Sequence, residues 1–499
     1  MVNFLNKIWF LKKLLSILVL SLLLSVNAYS NSGIDDFNLW LLQNGHTQYL
    51  EINENYEECK DCTSSWATTS CYEEDGKPKK QCVLNGDQGF SETGGFKWAN
   101  HRKYKNNLNI KIYDRYDIPW GAKPNKGTLL FYLYKYLDDE NGFDRAGSKG
   151  SDNPYKFKIQ LKEDEVSKYI KKHIQKTALL SYLLYEDGKI TIDEISPKDR
   201  FGILYNNNTQ YTSASVGKSI ASYVTGHAIC KGYISGIDHK LNDWPLLENT
   251  LFYDQKLINL LNMATGHQKY ADFNLKTNKY NKNGNSNTVE FHMQKGIFKN
   301  SKKAKSKYHY TNVLSNVLIN YVWYKSDGKF QDLLDEIFVD KAKVENDVWF
   351  LKMNDESIRR NNRNNTIMKA YKVRDEDGPI RYSFRASRYD YLRIAKAILD
   401  DWQNDTCVGK YLKNIHERRI PKNEKWKDDK SSSLNPKSYA GKFYTNYVGM
   451  KKRNVMGMNG YGGQNIMIDF DLGRIVVINS IHTDYNWKKI AHSVIKKGK

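Results

Sequence analysis

Two strand pairs, one near the start of residues 161–499 and one near the end, constrain the fold of this chain more than any other feature. The apolar run Ala178 to Tyr185 meets Asp187-Gly188, a dipeptide suited to a two-residue hairpin turn, and the chain returns through Lys189 to Ile195. Far downstream, Gln464 to Asp469 and Arg474 to Ser480 are joined by a tight turn at Leu472-Gly473. Glu165 to Thr177 and Trp487 to Lys497 read as helices, and helical spacing of apolar residues recurs between the two strand pairs. The pattern predicts an α+β domain, an antiparallel sheet assembled from both ends of the segment and flanked by helices.

What precedes this domain has a different character. Lys7, Lys12 and Lys13 lead into the apolar run Leu14 to Val26, and Val26-Asn27-Ala28 places small residues at a peptidase site. This is the layout of a secretory signal peptide over residues 1–28. The run falls short of the roughly 20 apolar residues of a membrane span, so no stable anchor is expected after cleavage. A periplasmic or secreted location follows. Residues 29–160 are rich in Gly, Asn, Asp and charge, with strand-like runs at Leu108 to Tyr113 and Thr128 to Tyr134, and read as an N-terminal extension or small domain. Asn141 to Asn153, with Gly142, Gly147 and Gly150, reads as a linker.

Of the six cysteines, Cys59, Cys62, Cys71 and Cys82 crowd into this extension. Their spacing fits a zinc knuckle, but in an oxidising compartment a pair of disulfides is expected, with three pairings open. Cys230 and Cys407 stand alone, as a third bridge or as buried thiols. The net charge of +21 becomes +18 when the three leader lysines leave. The remaining lysines are scattered, with only short clusters such as Lys302-Lys303-Ala304-Lys305. Neither a nucleic-acid partner nor a resident metal or cofactor is expected.

The chemistry centres on Ser215-Val216-Gly217-Lys218. Ile220, Tyr223, Val224, His227 and Ala228 follow at helical spacing, so Ser215 opens a helix with one buried face. Residues three apart on a helix are neighbours, which puts the Lys218 amine beside the Ser215 hydroxyl. A serine needs a base to become a nucleophile, and a lysine can serve once burial or a nearby cation lowers its pKa. The same stretch contains Gly-Lys-Ser, but a phosphate loop needs a glycine where Thr212 stands, which argues against an ATPase.

Four segments in order resemble the serine β-lactamase and penicillin-binding-protein superfamily, in particular its class C-like branch of esterases and amide hydrolases. They are Tyr211 to Ser219, Leu257 to Gly266, Tyr310-Thr311-Asn312, and Met458-Asn459-Gly460-Tyr461-Gly462-Gly463-Gln464, spanning roughly residues 163 to 499. The resemblance implies a β-lactamase/transpeptidase-like fold, with Ser215 as the acylated nucleophile and Lys218 and Tyr310 as general base and acid. It further implies an oxyanion hole from the backbone N–H groups of Ser215 and Tyr461, with Asn312, Gly460 and Gln464 contacting substrate. Met458 stands where such families carry a lysine or histidine that binds carboxylates. This favours the branch containing the 6-aminohexanoate-dimer hydrolase over β-lactamase or carboxypeptidase activity. The expected activity is hydrolysis of a small ester or amide. The rival expectation is a non-catalytic protein of the same fold that binds cell-wall fragments, which would not need the set Ser215, Lys218 and Tyr310.

Overall fold

The structure is a computed structural model that describes residues 143–198, 200–203, 205–248, 252–265, 273–274, 279–280, 308, 310–353, 380–422, 436–481 and 485–497. All of them belong to one compact unit. The leader, the four-cysteine cluster, the strand-like runs before residue 135, His309, Gly266 and the Lys302–Lys305 cluster lie outside these residues.

In chain order the strands and helices are β1 (Phe143–Ser148), β2 (Lys158–Ile159), α1 (Glu165–Ile174), β3 (Leu179–Glu186), β4 (Lys189–Ile195), β5 (Tyr211–Thr212) and α2 (Val216–Cys230). Next come α3 (Leu257–Leu261), the short pair β6 (Phe273–Asn274) and β7 (Lys279–Tyr280), α4 (Val313–Lys325), α5 (Phe330–Asp335), β8 (Val348–Met353) and β9 (Ile380–Ala386). The chain ends with α6 (Arg388–Gln403), α7 (Cys407–Glu417), β10 (Ile420–Pro421), β11 (Ser438–Ala440), β12 (Phe443–Thr445), β13 (Val455–Gly460), β14 (Gln464–Asp469), β15 (Arg474–Ser480) and α8 (Ser493–Lys496).

The central sheet has nine strands in the order β10-β11-β12-β13-β14-β15-β3-β4-β2. Every pairing is antiparallel except the short β2–β4 contact. The two hairpins expected from the sequence meet at β15–β3, with Val477 opposite Leu183 and Ile478 opposite Tyr182. Asp187 (φ 51°) and Gly188 (φ 75°) both take the left-handed backbone that a tight hairpin turn demands. All eight residues of β3 are buried, because both faces of the sheet are covered at its centre. On one face α1 and the C-terminal helical segment pack Ile170, Ile174, Ile490, Val494 and Ile495 against Tyr182, Leu184, Val476 and Ile478. Helix α1 starts where Asp164 accepts a hydrogen bond from the Ser167 amide at 2.8 Å.

A second sheet, ordered β1-β8-β9-β5, lies beside α2 and α4. Its first strand replaces the linker expected at Asn141 to Asn153. A Cβ on Gly147 would fall 2.0 Å from the Val348 carbonyl and 2.4 Å from the Trp349 Cα, so this glycine permits close strand approach. A second difference concerns α2, whose residues Val216 to Ala228 are all buried rather than on one face only. The helix is enclosed by α4, α7, β9 and β13. Its far end is pinned by a disulfide, Cys230–Cys407, with Cα atoms 5.9 Å apart. The bridge reading of these two cysteines therefore holds. The last helix is also less regular than expected, with a π-helical turn at Lys488–His492 before α8.

Candidate active site

The turn that presents Ser215 hangs from β9. Strand β5 pairs with that strand at Tyr211–Ala386 and Thr212–Arg385. The Ser213 amide then donates to the Phe384 carbonyl at 2.8 Å, while the Ser213 hydroxyl accepts from the Phe384 amide at 2.8 Å. Ala214 follows at φ 44°, a left-handed conformation that costs a non-glycine residue about 1–2 kcal/mol. Strain of that kind persists only where the surroundings enforce it, and it often marks functional turns. Ser215 heads α2 but its side chain caps no helix amide. It accepts instead from the Lys218 amine at 2.7 Å. Gly217 lies between them because a Cβ there would sit 2.0 Å from the Tyr382 carbonyl.

Lys218 is almost fully buried, at 1% exposure, and forms no ion pair among the described residues. Burial, aided by repulsion from Lys442, holds its pKa well below the ordinary lysine value. Two aromatic rings flank it, Tyr382 with its centroid 3.6 Å from the amine and Tyr310 at 5.0 Å. Burial raises the pKa of both phenols. Both also have the Ser215 side chain as a hydrogen-bond partner, a contact that acts the other way and is outweighed. The arrangement therefore favours a neutral amine beside two protonated phenols. Tyr310-Thr311-Asn312 leads into α4, and the Thr311 amide donates to the Met263 sulfur at 3.3 Å, just past α3. Asn312 accepts from the Tyr382 hydroxyl at 2.8 Å.

The third wall is the β13–β14 connection. Gly460 packs on the nucleophile's turn, since a Cβ there would meet the Ser213 carbonyl at 2.5 Å and the Ala214 Cβ at 3.2 Å. Tyr461 begins a short 3₁₀ turn completed by Gly462 and Gly463, both at positive φ, and its side chain is 57% exposed. Met458 is buried within β13 opposite Ile466. Gln464 is engaged inside the sheet: its amide nitrogen donates to the Ser480 carbonyl, and its oxygen accepts from the Ser480 amide at 3.2 Å and from Asn479 at 3.4 Å. Ser215, Lys218, Tyr310, Asn312 and the Gly460 backbone are thus brought around one turn, whereas the Gln464 side chain faces β15.

Two residues of this neighbourhood escape a reading of the sequence. Tyr382 lies in β9, in a stretch (Ile380, Tyr382, Phe384, Ala386) whose alternation speaks of a strand and of nothing else. Lys442 follows Gly441 in the β11–β12 turn, a place where a lysine is ordinarily solvent-exposed, yet it is buried at 1% exposure. A lysine at φ 75° after a glycine at φ 54° carries no spacing signal.

Among the described residues no group of three or more His, Cys, Asp or Glu could hold a metal ion, and no helix is long and apolar enough to cross a membrane. No protein-family profile matches the chain, and no curated sequence does. Solved structures of the serine β-lactamase and penicillin-binding-protein fold do match. A Bacillus anthracis protein provisionally described as a 6-aminohexanoate-dimer hydrolase is 12% identical, with 75% of this chain and 97% of that one covered at a TM-score of 0.49. FmtA from Staphylococcus aureus is 17% identical over 73% and 96% of the two chains, at 0.43. EstCE1, a hydrolase with promiscuous acyltransferase activity, is 11% identical over 67% and 96%, at 0.44. The chemistry below rests on this chain's own geometry.

Proposed function

We propose that the protein is an exported serine hydrolase that cleaves a small ester or amide through an acyl-enzyme on Ser215. The observation that carries this reading is the 2.7 Å contact between the Lys218 amine and the Ser215 hydroxyl, made where burial disfavours the charged amine. A neutral amine at that distance can accept the hydroxyl proton as Oγ bonds to the substrate carbonyl carbon. The carbonyl electrons move to oxygen, where the backbone N–H groups of Ser215 and Tyr461 form the oxyanion hole, each donor worth roughly 3–4 kcal/mol. Collapse of this adduct breaks the bond to the leaving group, which takes a proton from the Tyr310 hydroxyl. Lys218 returns its proton to Tyr310. A water then attacks the acyl carbon, giving a proton to Lys218, and Ser215 departs reprotonated.

Burial keeps the Tyr310 phenol protonated, which leaves the base role to Lys218. Asn312, bonded to the Tyr382 hydroxyl, orients that phenol and the substrate. Gly460 lets β13 pack closely against the nucleophile's turn at Ser213, and Gln464 holds the strand pair. The apolar Met458 favours substrates without a carboxylate at that position, which sets β-lactams aside. The formed Cys230–Cys407 bridge suits an oxidising compartment, in keeping with export.

The test is a turnover screen of short-chain p-nitrophenyl esters, linear amides and nitrocefin with wild type and Ser215→Ala. Hydrolysis of an ester or amide that disappears in the variant is the expected result. A folded wild type that turns over none of them, or a variant as active as wild type, overturns the reading.

A further inference from the structure

One edge of β9 is completed by side chains instead of by a strand. Strand β5 borders it only at Ala386 and Arg385. In an antiparallel sheet alternate residues turn their N–H and C=O groups to the same neighbour, and a buried amide left unmet there is costly. Toward the start of β9 those groups belong to Phe384, Tyr382 and Ile380. The Phe384 amide donates to the Ser213 hydroxyl at 2.8 Å, the Tyr382 amide to the Asn316 side-chain oxygen at 3.0 Å, and the Ile380 amide to that of Asn320 at 2.9 Å. The Asn320 side chain donates back to the Ile380 carbonyl at 2.7 Å. Asn316 and Asn320 are buried, at 2% and 0% exposure, and Asn312, Asn316 and Asn320 recur every fourth residue, hence on one side of α4. Tyr382 is thereby tied to α4 at both ends, its amide by Asn316 and its hydroxyl by Asn312, which accepts at 2.8 Å. Its carbonyl abuts Gly217, the residue before Lys218 on α2.

We propose that Asn316 and Asn320 are positioning residues for acylation: their side-chain amides complete the edge of β9 and so fix the face of the Tyr382 ring 3.6 Å from the Lys218 amine, where it stabilises the charge that the amine takes up with the Ser215 proton. This rests on the serine-hydrolase reading above. As the Ser215 Oγ bonds to the electrophile, its proton passes to Lys218, which becomes an ammonium that no carboxylate pairs among the described residues. An aromatic face attracts such a cation, and more strongly away from water. Tyr382 offers the nearer face, since the Tyr310 ring lies at 5.0 Å. The titratable groups acting on the amine are Tyr310 from the segment before α4, Tyr382 from β9 and Lys442 from the β11–β12 turn, while Tyr411 of α7 is turned to Ser222. None of them is anionic, so the ring has no rival for the new charge.

The experiment follows the pH dependence of the rate at which a fluorophosphonate inactivates wild type, Asn316→Leu, Asn320→Leu, Tyr382→Leu and the double variant Asn316→Leu with Tyr382→Leu, with thermal melting alongside. In wild type the rate rises with pH as Lys218 loses its proton. Displacing the ring destabilises the ammonium, so Asn316→Leu is expected to move the midpoint down by about one pH unit and to slow the plateau about tenfold. The two changes cancel on the acid limb, where the curves should converge. Asn320→Leu should shift the same way by less. In the Tyr382→Leu background the Asn316→Leu change should cost less than about twofold, because the ring through which Asn316 acts is gone. A loss equal at every pH, no loss, or an Asn316→Leu effect undiminished in that background overturns the assignment of the two asparagines alone. If neither single asparagine variant folds, the amides hold the structure and not the ring, and the assignment is again overturned. A wild type that reacts at no pH refutes the Ser215 reading, and the role of the asparagines falls with it.

Discussion

Replacing Gly217 with alanine is expected to disable the site without touching any reacting atom. The added methyl would lie 2.0 Å from the Tyr382 carbonyl, 2.7 Å from the Ser213 hydroxyl and 3.2 Å from the Phe384 amide. Ordinary carbon–oxygen contact begins near 3.4 Å, so α2 and β9 must part by about 1.4 Å at this point. Neither side yields easily: the oxygen is backbone, and α2 is buried along Val216 to Ala228. Overpacking of this kind costs about 1–3 kcal/mol, a loss of several degrees in Tm. The displacement separates Ser215 and Lys218, which ride on α2, from Tyr382 and the Ser213 anchor. A misplacement of about 1 Å costs on the order of 100-fold in rate. Thermal melting together with kcat/KM on the best ester or amide measures both effects. A Gly217→Ala protein with wild-type melting and wild-type kcat/KM would refute the packing argument and with it the account of why glycine stands inside the Ser-x-x-Lys spacing.

Three further outcomes follow from the same geometry. Tyr382→Leu removes the ring 3.6 Å from the Lys218 amine and should lower kcat/KM about tenfold, whereas Tyr382→Phe keeps the ring and should stay within about threefold of wild type; equal losses would discard the ring contact as the cause. Reducing the Cys230–Cys407 bridge, which spans 177 residues of sequence, should destabilise the domain by up to about 5 kcal/mol on chain-entropy grounds, and denaturant melts with and without reductant that coincide would contradict this. Lys218 and Lys442 have folded pKa values depressed below the unfolded value, so the unfolded state binds more protons and stability rises with pH, by about 1.4 kcal/mol per unit for each lysine that is neutral only when folded. Between pH 7 and 9 Lys442→Met should therefore show a shallower rise than wild type, and identical slopes would refute the burial of a neutral Lys442.

The sheet was legible in the sequence because its strands carry their own punctuation. Asp187-Gly188 and Leu472-Gly473 are local turn signals, and the strands they join appear at Lys189–Ile195, Gln464–Asp469 and Arg474–Ser480 as expected. Ser215 and Lys218 were legible for the same reason, since their contact is made within one helical turn. Tyr382 and Lys442 were not, because their proximity to Ser215 exists only after β9 and the β11–β12 turn fold against α2. Gly147 misled in the opposite direction: a glycine needed for strand contact with Trp349 looks, in sequence, like a glycine in a linker. Gln464 matched a motif position, yet its amide hydrogen-bonds Ser480 across β14–β15, and pairing of that kind is invisible before strand register is known.

The central claim is that Ser215 is a nucleophile made reactive by Lys218, and covalent labelling tests it most directly. Wild type, Ser215→Ala and Lys218→Met would each be incubated with a fluorophosphonate, weighed intact by mass spectrometry, and digested to locate the adduct. The account predicts a single adduct on the peptide carrying Ser215 in wild type, none in Ser215→Ala, and labelling slowed by at least about 100-fold in Lys218→Met. An adduct on another residue, or Lys218→Met labelled as fast as wild type, would contradict it.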